Sequence, residues 1–234
     1  MKTIAVVNRK GGVGKTTSVH CLAEAKALEG YNVLMIDLDP MGCLTLFSGF
    51  HPGEYNLEGH SAADLFAGGK ELEKSVFEVI NFSEKKKIFI VPASKELTEV
   101  ERSLKPIPAN YSLIKNACKE FDKQGFDYIF LDCPPHIDSI LVANALVAAD
   151  EVIIPVDATV LSCASVRDTK NAVTDVLGDH NTKVAGLILT KYLENARQKK
   201  ILSMLEKNDR ILGTVGEITE TDIKKEYCEI AKLI

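Results

Sequence analysis

A chain of 234 residues, 46% hydrophobic and 26% charged, carries enough apolar material for one substantial α/β domain and is not a disordered polymer. Its net charge of −5 argues against a protein that coats nucleic acid by bulk charge, though not against a local basic patch. The six cysteines contain no C-x-x-C pair, so neither a zinc site nor a disulfide framework is indicated.

Met1-Lys2 leads straight into the run Ile4-Ala5-Val6-Val7, with no signal peptide, and no apolar stretch reaches the roughly 18 to 20 residues of a membrane span. A reduced, cytoplasmic protein is expected. The first run predicts a strand that is apolar on both faces, as parallel strands covered by helices are. Val19, Leu22, Ala23 and Ala27 then repeat at helical spacing, and Gly30 stands where a helix-ending glycine belongs. The run Val33-Leu34-Met35-Ile36 closes a strand–helix–strand unit. Residues 41–87 read as glycine-rich loops around one short helix near Ala62 to Ala67, with a solvated lysine turn at 85–87. Further strands are predicted at 88–91, 128–131, 152–154 and 187–189. No linker or repeat divides the chain. The expected fold is a single domain over residues 1–234, a mostly parallel twisted sheet with helices on both faces.

The segment Asn8 to Thr17, "NRKGGVGKTT", lies between the first strand and the first helix. It fits G-x-x-x-x-G-K-[ST], except that Arg9 takes the place of the first glycine and a second lysine, Lys10, follows. Gly11, Gly12 and Gly14 let backbone amides turn inward as an anion nest at a helix N-terminus. In such a loop Lys15 lies on the β- and γ-phosphates, and the Thr16 hydroxyl takes a position on Mg²⁺. Two further strands end in acid: Asp37-Leu38-Asp39-Pro40 and Asp132-Cys133-Pro134-Pro135. In an open parallel sheet these carboxylates converge on the phosphate loop, as a Walker-B aspartate does.

Together "KGGVGKTT", "DLDP" and "LDCPP" resemble the deviant Walker-A ATPases, and within them the ParA/Soj chromosome and plasmid partition proteins. The resemblance runs to about residue 160 and thins beyond it. It implies an ATPase with Mg²⁺ that is slow until a ParB-like centromere-binding partner stimulates it. It implies a homodimer that sandwiches two ATP molecules, in which Lys10 reaches the phosphates of the other subunit. Catalysis would rest on Lys10, Lys15 and Asp39, with Asp39 orienting the attacking water. The nucleotide would be held by Lys10, Gly11, Gly12, Val13, Gly14, Lys15, Thr16, Thr17 and Asp37, and the metal by Thr16, Asp39 and Asp132. The family commonly continues D-x-D-P-Q-x-N, where this chain has Met41-Gly42-Cys43, so two polar side chains of that loop are replaced.

ParA-like dimers bind DNA without sequence preference in the ATP state, which implies association with the nucleoid. The corresponding basic residues here are Arg197, Lys199 and Lys200, then Lys224 and Lys225. Basic and acidic residues are nearly balanced from Lys191 onward, so folding and not composition must create any patch. MinD-like relatives are membrane-associated positioning ATPases anchored by a basic amphipathic terminal helix. The mixed charges of residues 222–234 predict a packing helix instead. Amidoligases and the nitrogenase iron protein share the phosphate loop, but no cysteine pair suits a bridging cluster, and the remaining loops show no substrate constellation.

Overall fold

The computed structural model describes residues 1–50, 59–67, 72–83, 86–178, 183–216 and 225–234. Eight strands form one sheet in the order β3-β4-β2-β5-β1-β6-β7-β8. They are β1 (Lys2–Val6), β2 (Val33–Asp37), β3 (Phe77–Ser83), β4 (Lys86–Val91), β5 (Tyr128–Asp132), β6 (Glu151–Asp157), β7 (Val184–Thr190) and β8 (Ile211–Thr214). All pairings are parallel except β3 with β4.

All six apolar runs are strands, and their alternation explains why both faces had to be apolar. Ile4 and Val6 of β1 enter one buried cluster with α1 (Lys15–Leu28) and α8 (Lys225–Ala231). Ala5 and Val7 enter the other, with α4 (Leu113–Lys123), α5 (Ile140–Ala148) and α6 (Val160–Leu177). The last turn of α1 ends at Gly30, whose φ is +97°. There the Gly30 N–H bonds Ala27 O at 2.9 Å and the Tyr31 N–H bonds Lys26 O at 3.1 Å, closing a Schellman cap.

The segment read as loops is more ordered than its glycines suggested. It contains the five-residue α2 (Cys43–Phe47) and the antiparallel edge strand β3. The helix expected near Ala62 to Ala67 is a single 3₁₀ turn, Asp64–Ala67. Lys86 and Lys87 open β4, whereas Lys85, Lys224 and the glycines at 53, 68 and 69 lie outside the described residues. The terminal α8 is a packing helix in the described part: Tyr227, Ile230 and Ala231 are buried, and the Tyr227 hydroxyl is 2.9 Å from Ser18 Oγ of α1. Among the described residues no helix is long and apolar enough to cross a membrane.

One buried amide joins two helices on the opposite face. Asn144 of α5 is fully buried. Its Oδ1 accepts from the N–H groups of Leu113 and Ile114 at 2.9 and 3.3 Å, and its Nδ2 donates to Asn110 O and Ile140 O at 2.8 and 3.0 Å. It therefore caps α4, whose first-turn amides have no acceptor within their own helix.

Two further helices are α3 (Glu96–Ser103) and α7 (Ala196–Leu205). Strand β1 sits between β5 and β6, so the loop that leaves it meets the carboxyl ends of both neighbours. In register, Val6 lies beside Asp132 of β5, and Asp37 of β2 lies on the other side of Asp132.

Candidate active site

The stem of the loop is fastened before its glycines begin. Asn8 is fully buried and donates from Nδ2 to Pro155 O of β6 at 2.8 Å, while its Oδ1 accepts from the Lys10 N–H at 2.8 Å. The Arg9 N–H bonds Thr169 Oγ1 of α6 at 3.2 Å. Gly12 and Gly14 adopt φ of +73° and +87°, where side chains other than glycine's are strained. A Cβ at Gly11 or Gly12 would meet nothing within 4 Å, so neither position is packed against the rest of the chain. Thr190 Oγ1 donates to Val13 O and Lys191 Nζ to Gly12 O, each at 2.9 Å. The Ser18 N–H is the first to bond within α1, to Gly14 O at 2.8 Å. The amides before it keep their donors for an anion.

Lys15, Thr16, Asp37, Asp39 and Asp132 come together at this mouth. Lys15 is 8% exposed; burial lowers its pKa, while the charges of Asp132 and Asp39 oppose that shift. Thr16 Oγ1 donates to Asp132 Oδ2 at 2.7 Å. Asp132 Oδ1 is buried and has no hydrogen-bond partner among the described residues. Burial, and next the neighbouring Asp37, push the Asp132 carboxyl well above the usual carboxylate range. A buried carboxylate oxygen with no donor, beside a threonine hydroxyl and a second acid, calls for a cation. The residues present therefore fit Mg²⁺.

Asp37 has no surface at all. Its Oδ2 accepts from Thr45 N and Thr45 Oγ1 at 2.9 and 2.7 Å, and its Oδ1 from Asp39 N at 3.1 Å. Burial pushes it up to about 6, against those hydrogen bonds. With both oxygens engaged by its own chain, Asp37 shapes the loop that presents Asp39. Asp39 is half-buried, and its Oδ1 accepts from Met41 N at 3.0 Å. Met41 and Phe47 of the same segment are 76% and 62% exposed.

Lys10 points elsewhere. Its ammonium donates to Asp157 Oδ2 and Oδ1 at 2.6 and 2.8 Å, at the carboxyl end of β6 in the same subunit. Thr159 Oγ1 and Ser162 Oγ stand at 3.3 and 3.5 Å. Arg197, Lys199 and Lys200 are exposed on α7, and Lys199 pairs with Glu194 at 3.0 Å. Lys225 is exposed at the start of α8.

Sequence reasoning missed Thr45, Asp157, Ser162, Thr190 and Lys191. Asn8 carried a legible signal, since an asparagine two residues before a turn amide can accept from it through Oδ1 in an Asx-turn. The others sit at no fixed spacing from the residues they serve.

Residues 1–185 match a family model described as an AAA domain. The chain is 31% identical over 221 residues to the sporulation initiation inhibitor protein Soj of Bacillus subtilis (strain 168), spanning 92% of this chain and 83% of that one. A plasmid partition protein from Borrelia burgdorferi superposes with a TM-score of 0.84 at 25% identity, over 99% of this chain and 96% of that chain. Cobyrinic acid a,c-diamide synthase from Mycobacterium smegmatis, solved with bound ATP analog and magnesium, gives a TM-score of 0.80 at 27% identity, over 100% of this chain and 91% of that chain.

Proposed function

The chain belongs to the ParA/Soj family of the MinD/ParA superfamily of ATPases, and from that footing we propose that it is a DNA-partition ATPase whose nucleotide switches it between monomer and homodimer. The observation that carries the chemistry is the unpartnered Asp132 Oδ1 beside Thr16 at the mouth of the glycine loop. On this reading the amides of Gly11 to Thr17 and the Lys15 ammonium hold the β- and γ-phosphates of ATP. Thr16 and Asp132 would hold Mg²⁺ with Asp39 nearby, and the ion would supply neutralisation of phosphate charge there. Asp39 orients the attacking water, and Asp37 fixes the loop that carries Asp39. Lys10 acts on the nucleotide of a second copy, delivering positive charge where negative charge develops in phosphoryl transfer. Hydrolysis to ADP and phosphate is slow until a ParB-like partner stimulates it.

In the dimer, the two copies of α7 bring Arg197, Lys199 and Lys200 to bear on DNA phosphates without sequence preference. Binding then places the ATP form on the nucleoid. The MinD-like alternative, attachment to a membrane, needs an accessible amphipathic terminal helix. The burial of Tyr227, Ile230 and Ala231 in α8 counts against it.

Co-sedimentation with DNA in ATP, in ADP and without nucleotide, at low and moderate salt, tests the proposal. Binding is expected with ATP alone and should weaken with salt. Equal binding in all three states, or in none, overturns it. Turnover with ATP would then still support the phosphate-loop chemistry, and the fold shared with the diamide synthase would favour an amide-forming enzyme.

A further inference from the structure

We propose that Asp157, with Thr159 and Ser162, holds Lys10 in a resting position within its own subunit, and that the lysine must leave this cradle before two copies can pair around ATP. The inference deepens the proposed function and rests on the trans role given there to Lys10.

The contacts are those of a built cradle. A lysine ammonium has three donors, and four acceptor atoms at 2.6, 2.8, 3.3 and 3.5 Å surround this one. The side chains are 30% and 17% exposed for Lys10 and Asp157, so the pair is not a loose surface contact. The cradle is also complete without its guest. Ser162 donates to Asp157 Oδ1, and Thr159 Oγ1 lies 2.8 Å from Ser162 Oγ. When Lys10 departs, the Asp157 carboxylate keeps the Ser162 hydroxyl as a donor and is not stranded.

The backbone permits the exchange. Lys10 N is fixed to Asn8 Oδ1 and Arg9 N to Thr169 Oγ1, so the loop stays in place while the long side chain swings. In the resting subunit the lysine faces a single carboxylate. Against a nucleotide it would face a polyanion with greater charge, so occupied loops draw it out. The turn from β6 into α6 thereby sets how much ATP is needed for pairing. Sequence spacing gives no hint of this, because Lys10 and Asp157 are 147 residues apart.

Two readouts on the full chain test the inference. Lys10 is acylated with an N-hydroxysuccinimide ester in the absence of nucleotide and quantified by peptide mass spectrometry. Dimerisation is followed by light scattering against ATP concentration. Asp157→Asn is expected to speed acylation of Lys10 and to lower the ATP needed for half-maximal pairing by about three- to thirtyfold, the range for losing a hydrogen-bonded charge partner. Asp157→Glu should restore both values toward those of the native chain. Thr159→Val, which leaves the ion pair intact, should shift both in the same direction by less, and keeps the test alive if Asp157→Asn does not fold. Unchanged acylation in Asp157→Asn overturns the latch. So does faster acylation with an unchanged ATP requirement. Absence of ATP-dependent pairing in the native chain and in every variant overturns the dimer reading itself, a result distinct from pairing with identical ATP dependence.

Discussion

Replacing Thr45 by valine isolates what the buried Asp37 depends on. Valine keeps the shape of threonine and removes one hydroxyl. That hydroxyl donates to Asp37 Oδ2 at 2.7 Å and accepts from the Ala93 N–H at 2.8 Å, tying the ends of β2 and β4 to α2. Thr45 is 5% exposed and Asp37 0%, so water cannot take its place without a structural change. A hydrogen bond to a charged group contributes about 1.5–3 kcal/mol, and an orphaned buried N–H costs about 1–3 kcal/mol. The Thr45 N–H still reaches Asp37, which offsets part of the loss. The net destabilisation expected for Thr45→Val is therefore about 2–4 kcal/mol, a large share of the roughly 5–15 kcal/mol that a domain has. Urea unfolding of Thr45→Val, with Thr45→Ser as the control that keeps the hydroxyl, measures it. The serine variant should lose no more than about 1.5 kcal/mol, the scale of one buried methyl. Because the same bonds hold the Asp39 loop, ATP turnover should fall more than nucleotide affinity. A valine variant within about 0.5 kcal/mol of the native chain would refute the view that Thr45 supports Asp37.

Gly186→Ala should destabilise by about 2 kcal/mol or more in the same assay, because its Cβ would lie 2.6 Å from Arg210 O on the backbone of the neighbouring segment. Asn144→Leu should cost about 2–4 kcal/mol, since it leaves the Leu113 and Ile114 amides and the Asn110 carbonyl without their partner; a neutral effect on urea unfolding would refute the capping role. Burial lowers the His20 pKa, so below its ordinary value of 6.5 the unfolded chain binds more protons than the folded one. His20 therefore takes stability away as pH drops from 7 to 5, against the raised carboxyls of Asp37 and Asp132, so His20→Asn should be relatively more stable than the native chain toward pH 5 than at pH 7; an unchanged difference between the two chains across that range would refute the assignment.

The parts of the fold that the sequence displays are those that local chemistry decides. A strand buried on both faces must be apolar at every position, and each of the six runs read that way is a strand. Edge strands escape this rule. β3 pairs on one side only, with register shifts between Glu78 and Ile80 and between Asn81 and Ser83, so no clean period marks it. β8 has four residues, too few for any period to be read. Asn144 was hidden for the opposite reason: it sits in Leu141-Val142-Ala143-Asn144-Ala145-Leu146, where the surrounding run signals burial and nothing signals a cap.

At the site the same division holds, and the strand order explains it. Lys15 and Thr16 are neighbours in sequence, and their loop is fixed by glycines at short spacing. Asp132 was legible because an acid at the end of an apolar strand in a parallel sheet has few other places to point. Asp157 ends an apolar strand too, yet nothing in the chain says which strands flank β1. Once β1 lies between β5 and β6, the loop that follows it receives one carboxylate from each side. The acid from β5 lies by the Thr16 hydroxyl, and the acid from β6 lies by the Lys10 ammonium. The Thr16 hydroxyl and the Lys10 ammonium thus face different acids for a topological reason. On the proposed reading, a nucleotide entering the loop exchanges those partners and builds no new ones.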